Sequence, residues 1–481
     1  MNEFLIVPLY EDLGLRGCQV DTRSGSVSYV AAAVSGLVVA VLWIAGRDQL
    51  LRMAIPAMAM LTAVALYFTR PMVYIQYALW VWFLSPLVRR IVDWRFGYAD
   101  PNFVLIAPLL VSAVAGITLL TPSRRAGTRI PVVFVLCGSA IVYGFMVGMV
   151  LHPSAETVYG LCNWLCPMLF GLHLFLNWRQ YEEQRAAISN TFLWGVLILG
   201  LYGIYQYFSP PVWDRYWLES IMLGGGSESF GRPEPLQVRV WSTMNSPGPF
   251  ANVMLAGLLV LFAIRWSWKL PALVAGYLAL LLSLVRTAWM SWFLGLFVLL
   301  RKSTPRVIVR VLVLIIVLGV CLVPLVNDSR LADVLGDRVE TLSDVGHDES
   351  FQERLDMYRA VTNDAMANPF GHGLKNQEVV KGFAVDSGIL AMVFSLGWVG
   401  TLVFSVGMLS FFLKKQQARM KNDMFSRATK AIVIALGAQV VGGNIFVSVS
   451  GAILWIFAGM YLSADQRYSD RSIAVANEMD A

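Results

Sequence analysis

Apolar runs long enough to cross a lipid bilayer recur along almost the whole chain. A helix of about 20 apolar residues spans the roughly 30 Å hydrocarbon core of a membrane. Hydrocarbon offers no hydrogen-bond partners, so a lone segment that crosses it must be helical. Hydrophobic residues make up 57% of the 481 residues and charged residues only 14%, whereas soluble domains carry about 25% charged residues. The sequence therefore predicts an all-α polytopic membrane protein.

Hydropathy predicts about 12–14 transmembrane helices, and the crowded stretches near 270–300 and 430–464 leave the count open. Polar or charged residues separate most of the runs. The predicted spans lie near 29–46, 50–68, 72–88, 103–120, 131–151, 157–176, 189–208, 246–264, 270–285, 287–300, 307–326, 387–413, 430–446 and 450–464.

Lys and Arg collect in short loops that share one side of the membrane when the spans alternate in direction. The densest group lies within 414–430 and another within 301–310. Cytoplasmic loops carry such an excess, so this side and both termini are predicted to be cytoplasmic. Arg89, Arg90 and Arg95 depart from the pattern, since their loop falls outside. The net charge of +6 thus indicates membrane topology rather than nucleic-acid binding.

This topology divides the chain into seven regions, including two long outward loops. The second loop has apolar residues at helical spacing after Asp328, and a capping-box pattern from Ser350 to Glu353 predicts another helix. We expect these amphipathic helices to lie on the bundle. The regions are a cytoplasmic N-terminal segment (1–28), N-terminal transmembrane helices forming a scaffold (29–208), a first outward loop (209–245), central transmembrane helices (246–326), a large outward helical loop (327–385), C-terminal transmembrane helices (386–464) and a cytoplasmic tail (465–481).

Arg286 separates two apolar runs and falls at the predicted outer membrane face. An ionisable residue in this setting is costly and is by default a functional candidate. The alternative is a turn residue whose side chain extends to the membrane interface. Nearby, Asn245-Ser246-Pro247 predicts a helix start, with Pro at the first helical position.

Three predicted helix starts, after Asn245, Arg286 and Asp386, face outward together with Arg239. The free N–H groups of a helix start favour anions, and arginine adds charge-assisted hydrogen bonds to phosphate. This pattern predicts an anion site at the outer face. A polar cavity there, closed toward the cytoplasm and lined by Arg239 and Arg286, would favour an enzyme over a transporter.

Further candidates lie in or beside the large outward loop. Arg354, with Tyr358 one turn further along its predicted helix, is a candidate substrate contact, although an exposed arginine can simply be solvated. His372 and Asp386 are candidate general bases. A capping role for Asp386 would lower its pKa and weaken it as a base.

Motifs for several other chemistries are missing. The chain has no Walker A sequence, no HExxH and no nucleophile elbow. Cys162 and Cys166 lack a neighbouring His or carboxylate, so they predict packing rather than a metal site. The predicted spans also lack the interior carboxylates that ion-coupled transporters usually keep. We expect no metal and no cofactor.

Three segments resemble the O-antigen ligase and polymerase superfamily of bacterial polysaccharide synthesis. They are RVWSTMNSPGPFAN at 239–252, LVRTAW at 284–289, and Arg354 through Gly373 followed by DSGILAMVFSLGWVG at 386–400. The resemblance covers roughly 235–410, and the earlier spans match only in hydropathy. Val285 and Thr287 stand where the family usually has Ser and Gly. Asp386 stands where its ligases carry a histidine.

The resemblance implies a metal-independent glycosyltransferase of the bacterial inner membrane, with its active site facing the periplasm. The donor would be an oligosaccharide on undecaprenyl diphosphate, gripped by Arg239 and Arg286 with Arg354 assisting. Expected partners are the lipid bilayer and other polysaccharide-assembly proteins, namely a flippase and a chain-length regulator. Because Asp386 replaces the ligase histidine, a polymerase of O-antigen or exopolysaccharide repeats is favoured. An O-antigen ligase and a transporter or flippase remain alternatives.

Overall fold

The computed structural model describes residues 22–479 with gaps, and within them the side chains of 27–470 except those of 28, 379–380 and 383–384. The gaps are 121–128, 224–229, 265–267, 302–304, 306–308, 310–358, 360–361, 365, 375–378, 381–382, 385–386, 415–419 and 421–422. The predicted span at 307–326 and the two predicted helices of the large outward loop therefore lie outside the described residues, or almost entirely so.

Helices make up nearly all of the regular structure in the first half of the chain. The predicted span near 103–120 is a composite, in which two 3₁₀ segments, Phe103–Ile106 and Val114–Leu120, flank a short α-helix. The helices are α1 (Thr22–Ile44), α2 (Asp48–Thr69), α3 (Pro71–Phe96), α4 (Ala107–Ala113), α5 (Val132–Leu151), α6 (Ala155–Leu176), α7 (Tyr181–Phe208) and α8 (Val212–Leu223).

The second half of the chain continues the helical pattern. Two-residue strands, Val379–Val380 and Phe383–Ala384, pair antiparallel in the large outward loop. The helices are α9 (Pro247–Ala263), α10 (Lys269–Leu282), α11 (Arg286–Leu300), α12 (Gly388–Phe412), α13 (Met424–Ala438) and α14 (Ser448–Met479).

Local sequence signals explain several helix starts. The Ser154 hydroxyl accepts a hydrogen bond from the Thr157 N–H at the start of α6, and the Asp423 carboxylate caps α13 by accepting from the Phe425 N–H. Both satisfy N–H groups that the helix itself leaves without a partner. Pro71 and Pro247 occupy the first position of α3 and α9, where proline costs no hydrogen bond.

Within the described residues, nine helical segments are long and apolar enough to cross a membrane. Four shorter apolar helices accompany them: Tyr29–Ile44, Pro247–Ala263, Lys269–Leu282 and Arg286–Leu300. These findings confirm the predicted all-α polytopic membrane fold. The largest difference in boundaries is α14, which continues past the predicted end at 464 to Met479. Helix α3 likewise continues past the predicted end at 88 to Phe96.

Helices α6 and α14 are in close contact through glycines. A Cβ atom added to Gly171 would lie 2.2 Å from the Trp455 carbonyl oxygen, and one added to Gly459 would lie 2.2 Å from the Gly171 carbonyl oxygen. Small residues let helix backbones approach closely in membranes, where packing rather than water exclusion drives association. Leu454, Trp455 and the neighbouring residues of α14 are accordingly buried, and α14 forms the centre of the bundle.

Helix α12 is interrupted where a loop segment packs against it. Gly397 has a φ of 61°, outside the helical region. Residues 369–374 run alongside, and the His372 and Gly373 N–H groups donate to the carbonyl oxygens of Phe394 and Ser395 at 2.8 and 3.0 Å. The Leu374 N–H donates to the Gly144 carbonyl oxygen of α5 at 3.2 Å. Non-helical backbone is thus held between α5 and α12 with its polar groups bonded, as a membrane environment requires.

We expect Gly171→Ala to destabilise the protein, because the added methyl group must displace the backbone of α14. Overpacking of this kind typically costs about 1–3 kcal/mol. Thermal unfolding of the purified protein in detergent measures the effect. Gly36→Ala is the matched control, since a Cβ atom at Gly36 of α1 meets nothing within 4 Å. Equal melting temperatures of the two variants would contradict this account of the α6–α14 contact.

Candidate functional site at the outward face

A cavity opens at the helix ends that the topology prediction assigns to the outer face. Its accessible volume is about 80 Å³. Aromatic, amide, hydroxyl and proline side chains line it, and they come from α3, α6, α9, α14, the span at 103–120 and the turn before α9. The lining residues are Trp82, Ser85, Pro86, Leu105, Pro108, Leu109, Tyr159, Asn163, Met244, Asn245, Pro249, Ser448 and Val449.

Asn245 is the predicted site residue that contributes to this cavity. Its side-chain oxygen is buried and accepts no hydrogen bond within the described part of the chain. A buried polar atom in this state is costly unless a water or a ligand completes its bonding. Asn163, also in the cavity wall, accepts a hydrogen bond from the Ser448 N–H at 3.0 Å. The cavity is therefore suited to a ligand with hydrogen-bonding groups.

Arg239 is fixed against the turn that leads into Arg286. Its side chain donates to the carbonyl oxygens of Ser283 and Leu284 at 3.4 and 3.3 Å. The Val240 N–H donates to the Leu282 carbonyl oxygen at 3.0 Å, which ties the two segments together. The structure thus brings the Arg239 guanidinium to the residues just before the start of α11.

Arg286 is the first residue of α11 and is half-buried. The turn before it contains Leu284 at a φ of 54°, a conformation uncommon for a non-glycine residue. Such strain often marks functional sites, although it does not prove one. The residue at the N-cap of α11 is Val285, and no side-chain hydrogen bond is made from that position to the first N–H groups of the helix.

The starts of α11 and α12 meet at one segment, residues 439–443. The methyl group of Thr287 lies 3.3 Å from the position that a Cβ atom of Gly442 would take. The Gly388 N–H donates to the Gly443 carbonyl oxygen at 3.1 Å. Two of the three predicted outward helix starts are therefore neighbours in space.

Neither Arg239 nor Arg286 lines this cavity, so it is not the arginine-lined cavity that would have favoured an enzyme over a transporter. Arg286 follows the turn between α10 and α11, and Arg239 contacts that turn from the segment before α9. The Arg239–Asn245 turn connects the two places, because Arg239 contacts the α10–α11 turn and Asn245 enters the cavity. We call the cavity and the two arginines together the outward site.

His372 occupies a separate position between α5 and α12. Its Nε2 atom lies 2.6 Å from the Asp364 carboxylate, and its ring stacks on Phe394 with centroids 4.4 Å apart. It does not line the outward cavity. Asp386, Arg354 and Tyr358, the remaining predicted site residues, lie outside the described residues.

A buried ion pair that the sequence interpretation missed supports the Arg239–Asn245 turn. Arg90 of α3 and Asp214 of α8 are 0% and 1% exposed, and their side chains lie 3.3 Å apart. Arg90 also donates to the Ser242 carbonyl oxygen at 2.6 Å. Ser242 itself has a φ of 51°, so the turn is held in an unusual conformation by bonds from other helices.

Gln206 of α7 completes this network. Its amide nitrogen donates to Asp214 at 2.6 Å, and its amide oxygen accepts from the Trp241 and Ser242 N–H groups at 3.1 and 2.8 Å. Burial raises the pKa of Asp214, while Arg90 and the hydrogen bonds from Gln206 and Tyr202 lower it in part. The network bonds three helices to the backbone that carries the outward site.

Aromatic residues of the first outward loop have a structural role here. Trp217 and Trp241 are buried and pack on Phe230 and on each other, with the Arg90 guanidinium 5.7 and 5.9 Å from their rings. Tryptophan side chains of an outward loop are candidates to stack on sugar rings or to lie at the membrane interface. Their burial removes them as sugar contacts in this conformation.

The one signal in the sequence that pointed to this network was the departure of Arg89 and Arg90 from the positive-inside pattern. Both are buried within the outward end of α3, where Arg89 pairs with Asp93 at 3.2 Å. Buried, paired arginines take part in packing rather than in setting topology. Among the described residues, no group of three or more His, Cys, Asp or Glu side chains is placed to hold a metal ion.

We expect Asp214→Ala to lower the free energy of unfolding by about 3–5 kcal/mol, because it leaves the buried Arg90 charge unpaired. Glu219→Ala is the matched control, since Glu219 is exposed on the same helix. Thermal unfolding in detergent compares the two. Replacing both partners, Arg90→Met with Asp214→Leu, should restore part of the loss. A single Asp214→Ala variant as stable as Glu219→Ala would contradict the pairing.

One region of the chain matches a known protein family. Residues 271–405 match the O-antigen ligase family. The matched segment starts in α10 and ends in α12, so it contains Arg286 and His372 but neither Arg239 nor Asn245. No curated protein matches the chain. The match confirms, over residues 271–405, the resemblance to the O-antigen ligase and polymerase superfamily that the sequence predicted.

Proposed function

We propose that the protein polymerises lipid-linked oligosaccharide repeats of an O-antigen or exopolysaccharide at the periplasmic face of the bacterial inner membrane. The donor would be a glycan on undecaprenyl diphosphate and the acceptor a sugar hydroxyl of a second lipid-linked repeat. The observation that carries this proposal is the anchoring of Arg239 to the carbonyl oxygens of Ser283 and Leu284, directly before Arg286. The O-antigen ligase match, which includes Arg286, supports it.

The reaction needs stabilisation of a leaving diphosphate. The acceptor oxygen attacks the reducing-end carbon of the donor glycan, the bond from that carbon to the phosphate oxygen breaks, and the bonding electrons stay on the diphosphate. The acceptor hydroxyl gives up its proton. Arginine donors placed where negative charge develops lower the barrier. Arg239 and Arg286, with the N–H groups at the start of α11, are the proposed donors, and Arg354 would assist.

The outward cavity is the proposed place for a polar part of the glycan near the reacting bond. Asn245 lines it, and its buried side-chain oxygen accepts no hydrogen bond within the described residues, so a sugar hydroxyl or amide N–H would supply the missing donor. Tyr358 remains a further proposed substrate contact.

The base for the acceptor hydroxyl is proposed to be Asp386 or His372. Asp386 precedes α12, whose first residue contacts the segment beside Thr287. His372 is held by Asp364 and contacts α12 at Phe394, about 9 Å along the helix from Gly388. Asp386 itself lies outside the described residues, so both residues stay proposed bases. Neither candidate requires a metal or a cofactor.

In its host, the enzyme would act with a flippase that delivers lipid-linked repeats and with a chain-length regulator. The positive-inside pattern supports an outward-facing site, since the Lys and Arg-rich loops lie at the opposite helix ends.

We predict that Arg239→Ala and Arg286→Ala each reduce polymerisation by about 10²–10³-fold, the usual cost of removing one charge-stabilising donor. The measurement is polysaccharide length on a gel from cells that carry only the variant. Arg232→Ala is the matched control, because Arg232 is exposed in the same loop as Arg239.

Immunoblots of membranes must show equal amounts of each variant, so that lost activity is not lost protein. Long polymer from both the Arg239→Ala and Arg286→Ala strains would refute the roles of these arginines. A loss equal to that of Arg232→Ala would do the same.

Deletion of the gene should distinguish the proposed polymerase from the alternatives. We predict that lipid extracts of the deleted strain contain single repeats on undecaprenyl diphosphate at the periplasmic face. Full-length chains left on the lipid would instead identify a ligase. Repeats confined to the cytoplasmic face would identify a flippase, and mass spectrometry of the lipid-linked glycans, with and without periplasmic access of a glycosidase, separates the three outcomes.

A further inference from the structure

A second, larger cleft lies at the helix ends opposite the outward site. Its accessible volume is about 420 Å³, within the range of small-ligand sites, which is about 300–1,000 Å³. Helix α1 packs on α2, and α3 packs on α2 and α7. The cleft lies among these four helices and is lined by Tyr29 of α1, Thr62 of α2, Gln76 of α3 and Asn190 of α7, among others.

Among the described residues, Arg70 is the one charged side chain that lines the cleft. It connects α2 to α3, at the end that the positive-inside pattern assigns to the cytoplasm. Its guanidinium donates to the Tyr29 hydroxyl at 2.8 Å and lies 4.4 Å from the centre of that ring. These contacts hold a half-buried cation at the cleft, and no carboxylate among the lining residues neutralises it.

Polar and apolar groups follow one another along the cleft from Arg70. Gln76 lies about 9 Å along α3 from Arg70 and Trp80 about 15 Å along it, given the rise of a helix. Gln76 and Asn190 line the cleft about one turn before Trp80 and Trp194 on the same two helices, and the Gln76 amide also donates to the Ala187 carbonyl oxygen at 3.5 Å. A phospholipid has the matching order of groups. Its phosphate would bind the cation, its ester carbonyl groups would accept hydrogen bonds from the amides, and its acyl chain would pack on the indole rings.

The surroundings of the cleft favour a lipid over a water-soluble ligand. Leu61, Phe68 and Ile198, on helices that form the cleft, are 57%, 67% and 45% exposed. These helices are long and apolar enough to cross a membrane, so their exposed apolar side chains contact lipid. A ligand would enter sideways from the bilayer.

We propose that this cleft binds an anionic glycerophospholipid of the cytoplasmic leaflet, with its phosphate on Arg70 and an acyl chain along Trp80 and Trp194. The amides of Asn190 and Gln76 would hydrogen-bond the ester carbonyl groups. This site is distinct from the outward site, so the proposal does not depend on the proposed function.

Native mass spectrometry of the full-length protein in detergent tests the proposal. Phosphatidylglycerol and phosphatidylcholine with identical acyl chains are titrated separately, and inorganic phosphate is a third ligand. We expect phosphatidylglycerol to bind more tightly than phosphatidylcholine. Arg70→Gln should weaken phosphatidylglycerol binding by about fivefold, the effect of one basic residue at a membrane surface, and should leave phosphatidylcholine binding unchanged.

Arg47→Gln is the matched control, because Arg47 is exposed at the other end of α2. Trp194→Ala should weaken both lipids alike, since it shortens the apolar wall. Equal binding of the two lipids to the unaltered protein would overturn the proposal, as would an Arg70→Gln variant that binds like Arg47→Gln. Inorganic phosphate that displaces phosphatidylglycerol fully would show a simple anion site instead of a lipid site. Equal melting temperatures exclude misfolding as the cause of any loss.

Discussion

The requirement that every backbone N–H and C=O group inside a membrane be bonded within the protein governs this structure. Helices meet it along most of the chain. Where the backbone is not helical, at 369–374 and at Gly397, neighbouring helices supply the missing bonds from Phe394, Ser395 and Gly144. A loop can therefore enter the bundle only because it is tied to α5 and α12 on both sides. The same ties fix His372 in place.

Charged groups obey a related constraint, because a buried charge is costly unless it is paired. Arg90 and Asp214 meet it at the outward helix ends, and Gln206 joins them to the backbone of Trp241 and Ser242. The Arg239–Asn245 turn is held through this network in a conformation that its own sequence would not favour. Arg90 of α3 thus has a structural role, because it stabilises the turn that begins with Arg239, which we propose to be functional.

The two proposed binding regions lie at opposite ends of the helices. At the outward end, Arg239 contacts the turn that precedes Arg286, and Asn245, whose buried side-chain oxygen accepts no hydrogen bond within the described residues, lines a small cavity. At the other end, Arg70 lies at a wide cleft whose walls become apolar with depth. Both would bind phosphate-bearing lipids, one as the donor of a glycan and the other as a component of the membrane. Because the two regions lie at opposite ends of the helices, a lipid bound at one does not occupy the other.

The sequence by itself determined the helical membrane fold, most span positions and the candidates Arg239, Arg286 and Asn245, because hydropathy, helix-start signals and isolated charges are local properties. It misjudged the end of α3, where Arg89 and Arg90 read as a loop although they are buried in helix. Only the tertiary structure decided that Asp214 neutralises Arg90, that Arg239 contacts Ser283 and Leu284, and that His372 lies against Phe394 instead of in the cavity. These pairings join residues far apart in the chain, and the packing of helices, which no local pattern encodes, sets them.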